Sequence, residues 1–339
     1  MRKIKEELQR EKEELQRANS QGEQGAVRLV APRFEAPNRF VPLPRATPEE
    51  EGVSSADLAA AIKKLTELEY VHGFVVLHGG YVIAEGYRTP WRADVPHMLF
   101  SASKSFTAIA VGRAELDGRL ALDAPLVKFF PEIVDGNPKV GATMRRVTLR
   151  HLLTMASGHD HCLMAEMMAA PDGDYARVFL ETAPKFAPGT RFVYNTGASY
   201  MLAAVVRRAT GQNVGDYLAP RLFNHLDIAD WRWDKCPRGT DLGGYGLYLR
   251  TEDLAKFAEL MRHKGGWGAR RLHLGFYAPN AVHGGYYLLP EAFVVEATRK
   301  QIDTGNGGGY GYQFWIGPDG SFQASGMCGQ FALVLPQAE

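Results

Sequence analysis

The 339-residue sequence predicts an α+β protein, in which strands from both ends of the chain form an antiparallel sheet and a helical block is inserted between them. Short apolar runs at 72–87 and 310–336 are typical of strands. From about residue 101 to 270 the apolar residues recur mainly at helical spacing. We therefore expect strands distant in sequence to pair in one sheet, with helices flanking it and the helical block alongside.

The composition is that of an ordinary globular protein. Hydrophobic residues make up 45% of the chain, charged residues make up 23%, and the formal net charge is +1. This balance gives no basis for binding nucleic acid or a membrane surface. The apolar stretches are too short to span a bilayer, the N-terminus is too charged for a signal peptide, and the three cysteines do not form a disulfide framework. We expect a cytoplasmic protein, whose oligomeric state the sequence leaves open.

Two parts are expected along the chain. Residues 1–30 form a charged helical extension and linker, since glutamates alternate with lysines and arginines around a narrow apolar stripe. Both an exposed helix and a short coiled-coil contact remain open for this extension. Residues 31–339 form a single domain, with a sheet part at about 31–100 and 290–339 and a helical part at about 101–270.

The elements of this domain follow in order. Ser54 or Ser55 caps a first helix, and Gly79-Gly80 closes a β-hairpin. Later helices begin at Ser101 and cover 149–157, 198–210 and 251–263, and the last strands cover 310–317, 321–326 and 330–336. Glycines cluster in the C-terminal half, in the runs GGYG, KGGWG and GNGGGYG, which indicates tight turns and close backbone approaches.

Ser101 and Lys104 are the first candidate pair of functional residues. They lie three positions apart at the start of a predicted buried helix, so they share one face of that helix. A buried lysine that loses its proton can accept the proton of a serine hydroxyl and make that serine a nucleophile. The helix N-terminus, where Ser101 lies, favours developing negative charge. Taken alone the Ser-x-x-Lys pattern is weak, and an ordinary helix start is the alternative.

Tyr194 is the second candidate. It precedes a predicted helix in the segment FVYNTGASYML, and beside a positive lysine it could act as a general base or proton relay. The spacing alone favours a tyrosine that covers the core and keeps its hydroxyl in water.

The run His159-Asp160-His161-Cys162 contains metal-ligand residue types, but adjacent ligands are poorly spaced for one ion. No partner cluster stands elsewhere in the sequence. We interpret this run as a loop at the rim of a site, and we expect neither a metal nor a cofactor. The glycine-rich run GNGGGYG has no lysine after it and is interpreted as a turn that leads into a strand, not as a phosphate loop.

Five segments in a fixed order resemble the β-lactamase-related serine hydrolase family. This family includes class C β-lactamases, low-molecular-weight penicillin-binding proteins, and related esterases and D-amino-acid peptidases. The resemblance extends from about residue 48 to residue 336. The segments are FSASKSFT, ELDGRLALD, LRHLLTMASG, APGTRFVYNTGASYML and GGYGLYLRTEDLAKFAELM.

The resemblance implies a β-lactamase/transpeptidase-like fold and a two-step acyl transfer. Ser101 would attack the carbonyl of a small acyl substrate, Lys104 and Tyr194 would move protons, and water would release the acyl group. The backbone N–H groups of Ser101 and Met327 would stabilise the oxyanion. The expected partner is therefore a small-molecule substrate, and no cofactor is implied.

Two motifs depart from the family pattern. The usual Tyr-x-Asn is here Tyr194-Asn195-Thr196, so either Asn195 or Thr196 supplies the substrate contact. The usual cation-x-Gly is here Ala324-Ser325-Gly326, with Ser325 and Gly326 as further substrate-binding candidates. The missing cation favours small neutral esters or amides over β-lactams. A β-lactamase or D,D-peptidase, and a truncated or vestigial non-catalytic relative, remain the alternatives.

Two features of length also depart from the family pattern. After the last predicted strand, relatives normally continue with another strand and a long helix, whereas this sequence stops at Glu339. We expect that strand and helix to be missing. The stretch 273–287 is interpreted as an insertion, either a surface loop or an aromatic lid over the site.

Overall fold

A computed structural model describes residues 41–68, 70–267 and 286–338. The predicted N-terminal extension and nearly all of the predicted 273–287 insertion lie outside these residues. The division into domains stays a prediction. The described part combines α-helices with antiparallel sheets, so the predicted α+β class is confirmed.

Ten α-helices are described. They are α1 (Ser55–Thr66), α2 (Ser103–Leu116), α3 (Pro131–Val134), α4 (Leu149–Leu153), α5 (Met164–Met168), α6 (Tyr175–Glu181), α7 (Thr196–Thr210), α8 (Val214–Leu218), α9 (Thr251–Arg262) and α10 (Glu291–Ala297). Sequence signals explain several of their ends. The Ser54 hydroxyl accepts from the Asp57 N–H at the start of α1, and Gly211 ends α7 in the left-handed conformation.

Twelve strands are described. They are β1 (Gly73–His78), β2 (Tyr81–Tyr87), β3 (His97–Met98), β4 (Arg232–Trp233), β5 (Leu247–Leu249), β6 (Gly266–Trp267), β7 (Tyr286–Tyr287), β8 (Ile302–Asp303), β9 (Gly309–Tyr310), β10 (Trp315–Ile316), β11 (Phe322–Gly326) and β12 (Gln330–Val334). The hairpin β1–β2 turns at Gly79 and Gly80, both with positive φ, as this turn requires.

Helix α2 lies at the centre of the core. Eleven of its fourteen residues are buried, including Lys104 and three hydroxyl-bearing residues. A helix buried on all sides needs neighbours all round, and α2 packs against α7, α8 and β11. The polar side chains of α2 bond to the backbone of neighbouring segments: Ser103 accepts from the Leu247 N–H of β5 at 3.2 Å, and Thr107 donates to the Gly243 carbonyl of the preceding loop at 2.7 Å. These bonds fix where β5 and this loop pass the helix.

The strands from the two ends of the chain do not form the single sheet that the sequence predicted. The hairpin β1–β2 forms a separate sheet, with a parallel bridge from Arg45 to Val82, and the C-terminal strands form a five-stranded sheet in the order β12-β11-β10-β9-β8. Both β1 and β12 pack on α9, but a groove of about 640 Å³ lies between their edges. Apolar side chains line this groove, and Phe331 and Leu333 of β12 are 57% and 55% exposed. The sequence-based expectation that a further strand and helix are missing stays a prediction.

Two predicted elements are shorter than expected. The 310–317 segment is not one strand, because Gly311 to Phe314 leave the sheet and Gln313 takes φ +62. Helix α4 ends at Leu153, since Met155 takes φ +55, a conformation that no helix continues through. In both places tertiary contacts override the local pattern. Among the described helices, none is long and apolar enough to cross a membrane.

The packing of α2 against α10 can be tested by a substitution at Gly112. A Cβ at this position would come within 2.5 Å of the Phe293 ring of α10. We expect Gly112→Ala to lower the free energy of unfolding by about 1–3 kcal/mol, because the buried ring must move. The measurement is urea unfolding. The control is Gly141→Ala, where a Cβ would meet nothing within 4 Å. Equal stabilities for the two variants would contradict this packing.

Candidate active site

Ser101 lies in a short helical turn, Phe100–Ala102, that leads into α2. Phe100 takes φ +45, an uncommon conformation for a residue other than glycine. The Leu99 N–H donates to the Leu247 carbonyl at 2.8 Å, which ties this turn to β5. The turn thus presents a half-buried Ser101 at the end of a helix that is otherwise buried.

Lys104 lies beside Ser101, as the spacing predicted. Its side chain is 1% exposed, and its Nζ lies 2.9 Å from the Ser101 Oγ. The same Nζ lies 2.9 Å from the Gly244 carbonyl oxygen and 3.2 Å from the Thr196 Oγ1. A carbonyl can only accept, whereas the two hydroxyls can accept or donate. The arrangement therefore fits a protonated lysine that donates to Ser101 and also a neutral amine that accepts the Ser101 proton.

Tyr194 lies next to the same amine. The Lys104 Nζ is 4.8 Å from the centre of the Tyr194 ring, within the range of a cation–π contact. The ring stacks on Trp315 with centroids 5.5 Å apart, and the edge of Tyr310 meets it at 6.2 Å. These aromatic neighbours fix the ring plane, so the structure brings together all three predicted catalytic residues.

Asn195 is one of the two residues predicted to supply the substrate contact of this motif. Its side chain is fully buried and caps α7: the Oδ1 accepts from the Gly197 N–H at 2.9 Å and from the Leu163 N–H at 3.1 Å. A capping asparagine at a helix start satisfies backbone donors that have no partner in the helix. Its oxygen is therefore committed to the backbone.

Thr196 is the other residue predicted to supply the substrate contact. Its hydroxyl faces Lys104, and its backbone N–H donates to the Cys162 Sγ at 3.3 Å. Thr196 thus contacts the lysine, and the choice between Asn195 and Thr196 for the substrate contact stays a prediction. The neighbouring Asn195 caps α7 and so fixes the backbone that orients the Thr196 hydroxyl.

Strand β11 brings the third motif to the nucleophile turn. A Cβ on Gly326 would lie 2.1 Å from the Leu99 carbonyl oxygen and 3.2 Å from the Ala102 nitrogen, so only glycine fits at this approach. Met327 begins the turn that follows β11. Ser325 is half-buried on the strand face opposite the buried Ala324. The backbone N–H groups of Ser101 and Met327 are therefore carried by two segments in close contact.

Sequence reasoning missed three residues of this site. Gly244 supplies the carbonyl that holds Lys104, and Trp315 supports the Tyr194 ring. Gly243 lets the same loop lie on α7, since a Cβ there would come within 2.8 Å of the Ser199 carbonyl oxygen. The GGYG run did signal a close backbone approach, but it gave no indication of which helix the loop approaches. Nothing local signals the role of Trp315.

The run at 159–162 lies beside this site and forms its own contacts. The Nε2 of buried His159 lies 3.1 Å from the Thr182 carbonyl, so it carries the proton, and Nδ1 then accepts from the Ser157 hydroxyl at 3.0 Å. On the surface, His161 contacts the carboxylates of Asp160 and Glu166. The described residues contain no group of three or more such side chains that could hold a metal ion.

Comparison with known proteins places the chain in a family. The beta-lactamase family model matches residues 59–339, so the chain belongs to this family. Structures with the same fold include a penicillin-binding protein homologue from Pyrococcus abyssi (TM-score 0.62, 21% identity, 84% of this chain and 72% of that one). Another is EstCE1, a hydrolase with promiscuous acyltransferase activity (TM-score 0.65, 16% identity, 84% of this chain and 92% of that one). The predicted fold is thereby confirmed.

The similar curated proteins include both hydrolases and acyltransferases, among them the acyltransferase mokF of Monascus pilosus. Esterase EstB from Burkholderia gladioli is 36% identical over 142 residues, which cover 36% of this chain and 34% of the esterase. Lovastatin esterase from Penicillium rubens is 30% identical over 45% of this chain and 43% of its own length. The 6-aminohexanoate-dimer hydrolase of Paenarthrobacter ureafaciens is 27% identical over 87% of this chain and 78% of its own length. The matches thus span less than half the length of both esterases and more than three quarters of the dimer hydrolase.

His159 gives the fold beside the site a defined pH dependence. Burial lowers the pKa of this histidine to about 4, well below its value in an unfolded chain. As the pH is lowered, His159 is therefore protonated in the unfolded chain before it is protonated in the folded one. The free energy of unfolding falls between about pH 6.5 and pH 4, by at most about 3 kcal/mol. Urea unfolding at several pH values measures this loss.

The matched variant is His159→Gln, whose amide can still donate to the Thr182 carbonyl. We expect its stability to fall less over this pH range than that of the wild type. His225→Gln, at an exposed position, is the control and should keep the wild-type profile. If the stability of His159→Gln falls with pH as steeply as that of the wild type, this histidine is not the source of the pH dependence.

Proposed function

We propose that the protein is a serine hydrolase that forms an acyl-enzyme on Ser101. The observation that carries this proposal is the 2.9 Å contact between the Ser101 Oγ and the amine of a lysine that is 1% exposed. Burying an amine is costly unless its hydrogen bonds are made, and here a carbonyl and two hydroxyls surround it. Membership of the beta-lactamase family and hydrolase relatives give independent support.

The reaction follows from this geometry. The Ser101 oxygen bonds to the substrate carbonyl carbon while its proton passes to Lys104 or Tyr194. The bond from this carbon to the leaving group then breaks, and the proton departs with the alcohol or amine. In the second step the oxygen of a water molecule bonds to the acyl carbon, the bond to Ser101 breaks, and the carboxylic acid leaves while Ser101 regains its proton. Gly244 and Thr196 keep the amine beside the Ser101 oxygen in both steps.

The oxyanion would be stabilised by the backbone N–H groups of Ser101 and Met327. The close approach of Gly326 to the turn at Leu99–Ala102 supports this assignment, because it brings the segment before Met327 against the nucleophile. Pre-positioned backbone donors are often the largest single contribution to this class of catalysis.

The substrate that we propose is a small neutral ester or amide. The position before Ser325, where lactam-binding relatives carry a cation, is here Ala324, which is 1% exposed on a buried strand. No charged side chain therefore stands at this position to hold a substrate carboxylate. The esterases among the similar proteins point the same way.

Covalent labelling tests the nucleophile and the base. A fluorophosphonate probe should label the wild type and not Ser101→Ala, because labelling requires the serine oxygen. Lys104→Ala should slow labelling by about a hundred- to ten-thousandfold, the usual contribution of a general base. The measurement is the rate of probe incorporation, read by mass spectrometry.

Two variants serve as controls for these changes. Lys185→Ala removes an exposed lysine that pairs with Asp160, and Ser321→Ala removes a serine at the other end of β11. Both should label at the wild-type rate. A folded wild type without label would overturn the proposed function, and near-normal labelling of Lys104→Ala would overturn the role of the lysine.

The substrate class is tested separately. We expect the purified protein to hydrolyse a short-chain aryl ester with a kcat/KM at least about tenfold above that for a cephalosporin, since Ala324 stands where relatives carry a cation that pairs with the carboxylate. Steady-state kinetics on both substrates measures the ratio. Equal efficiency would contradict the preference for neutral substrates while leaving Ser101 as the nucleophile.

A further inference from the structure

Gln313 is a buried residue that the proposed mechanism does not use. It is 2% exposed and lies in the bend between β9 and β10, with φ +62. Glycine adopts this left-handed conformation without strain, whereas a glutamine does so at a cost. Its presence at such a position indicates that the side chain itself is required.

The side chain of Gln313 is fully engaged. Its Nε2 donates to the carbonyls of Leu152 and Leu153 at 3.1 and 2.9 Å, and its Oε1 accepts from the Ser199 hydroxyl at 2.6 Å. The backbone is engaged as well. The Gln313 N–H donates to the Leu153 carbonyl at 3.1 Å, and the Gln313 carbonyl accepts from the Ser105 hydroxyl at 2.7 Å.

These partners belong to the elements that carry the site. Ser105 follows Lys104 directly on α2. Ser199 lies three residues after Thr196, hence on the same face of α7. Two residues beyond Gln313, Trp315 stacks on Tyr194. One residue therefore connects the helix of the nucleophile, the helix that follows the tyrosine, and the aromatic support of that tyrosine.

We propose that Gln313 is a positioning residue for the acyl transfer, which holds α2 and α7 at the separation that the contact between Lys104 and Thr196 requires. This inference rests on the proposed function. The contact itself is 3.2 Å long, so a small relative displacement of the two helices would break it. Gln313 has no described bond to Ser101, Lys104 or Tyr194, so it acts through the elements that hold them.

Gln313→Gly is the main test, because glycine keeps the backbone conformation and removes only the side-chain bonds. We expect the limiting rate of fluorophosphonate labelling to fall by about ten- to a hundredfold, as displaced catalytic groups do. The probe concentration for half-maximal rate should stay within about twofold, because the residue does not touch the substrate.

The matched control is Val206→Ala. Val206 is fully buried on the same helix, ten residues beyond Thr196, and its truncation also destabilises the core. Both variants are compared with the wild type at a temperature where all three are folded. If the labelling rate of Gln313→Gly equals that of the control, Gln313 has only a structural role and the inference is wrong.

A second variant keeps the inference testable if Gln313→Gly does not fold. Ser199→Ala removes only the bond to the Gln313 Oε1 and should lower the limiting rate by about two- to tenfold, the effect of one lost hydrogen bond. In the double variant this effect should vanish, since the partner is already gone. A folded Ser199→Ala that labels at the wild-type rate would overturn the inference.

The two proposals fail in different ways. A wild type that takes no label overturns the proposed function. A wild type that labels normally, with Gln313→Gly and Ser199→Ala unchanged in rate, overturns only the positioning role.

Discussion

The buried amine of Lys104 is the constraint on which the rest of the site depends. An amine that is 1% exposed must find hydrogen-bond partners inside the protein, because water cannot supply them. Its partners come from three separate places: Ser101 on the turn before α2, Thr196 at the start of α7, and the Gly244 carbonyl in the loop before β5. The fold has to bring these elements within about 3 Å of one atom, and the same convergence places the serine where it can react.

The surrounding architecture meets this requirement through close backbone approach. The loop with Gly243 and Gly244 can lie close against α7 because neither residue has a Cβ, and Gly326 lets β11 contact the nucleophile turn for the same reason. Hydroxyl-bearing residues of α2 then bond to the approaching backbone, as Thr107 does to Gly243. Paired polar groups inside a core favour one arrangement, and these bonds make the interior around the site specific as well as compact.

Sequence reasoning succeeded where the signal was local and failed where a partner from far along the chain decided the outcome. The cap at Ser54, the turn at Gly79-Gly80 and the end of α7 at Gly211 are set by neighbouring residues and were predicted correctly. The sequence did not indicate the cap that Asn195, one of two candidates for the substrate contact, forms at α7. Spacing could not show that its oxygen meets the Leu163 N–H, thirty-two residues away. The prediction of a single sheet was also wrong, since alternating apolar residues identify strands but do not show which strands pair with each other.

By itself the sequence determined the class of the fold, the helix that carries Lys104, and the placement of Ser101 beside Lys104 one turn earlier, because helical periodicity is a local property. The order of five motifs also indicated the family. Only the tertiary structure decided that Thr196, not Asn195, faces the lysine and that a carbonyl from the GGYG run completes its surroundings. It also decided that Gln313 bonds to both helices of the site. These contacts join residues 92 to 208 positions apart, and no local pattern encodes such distances; they arise only when the core packs.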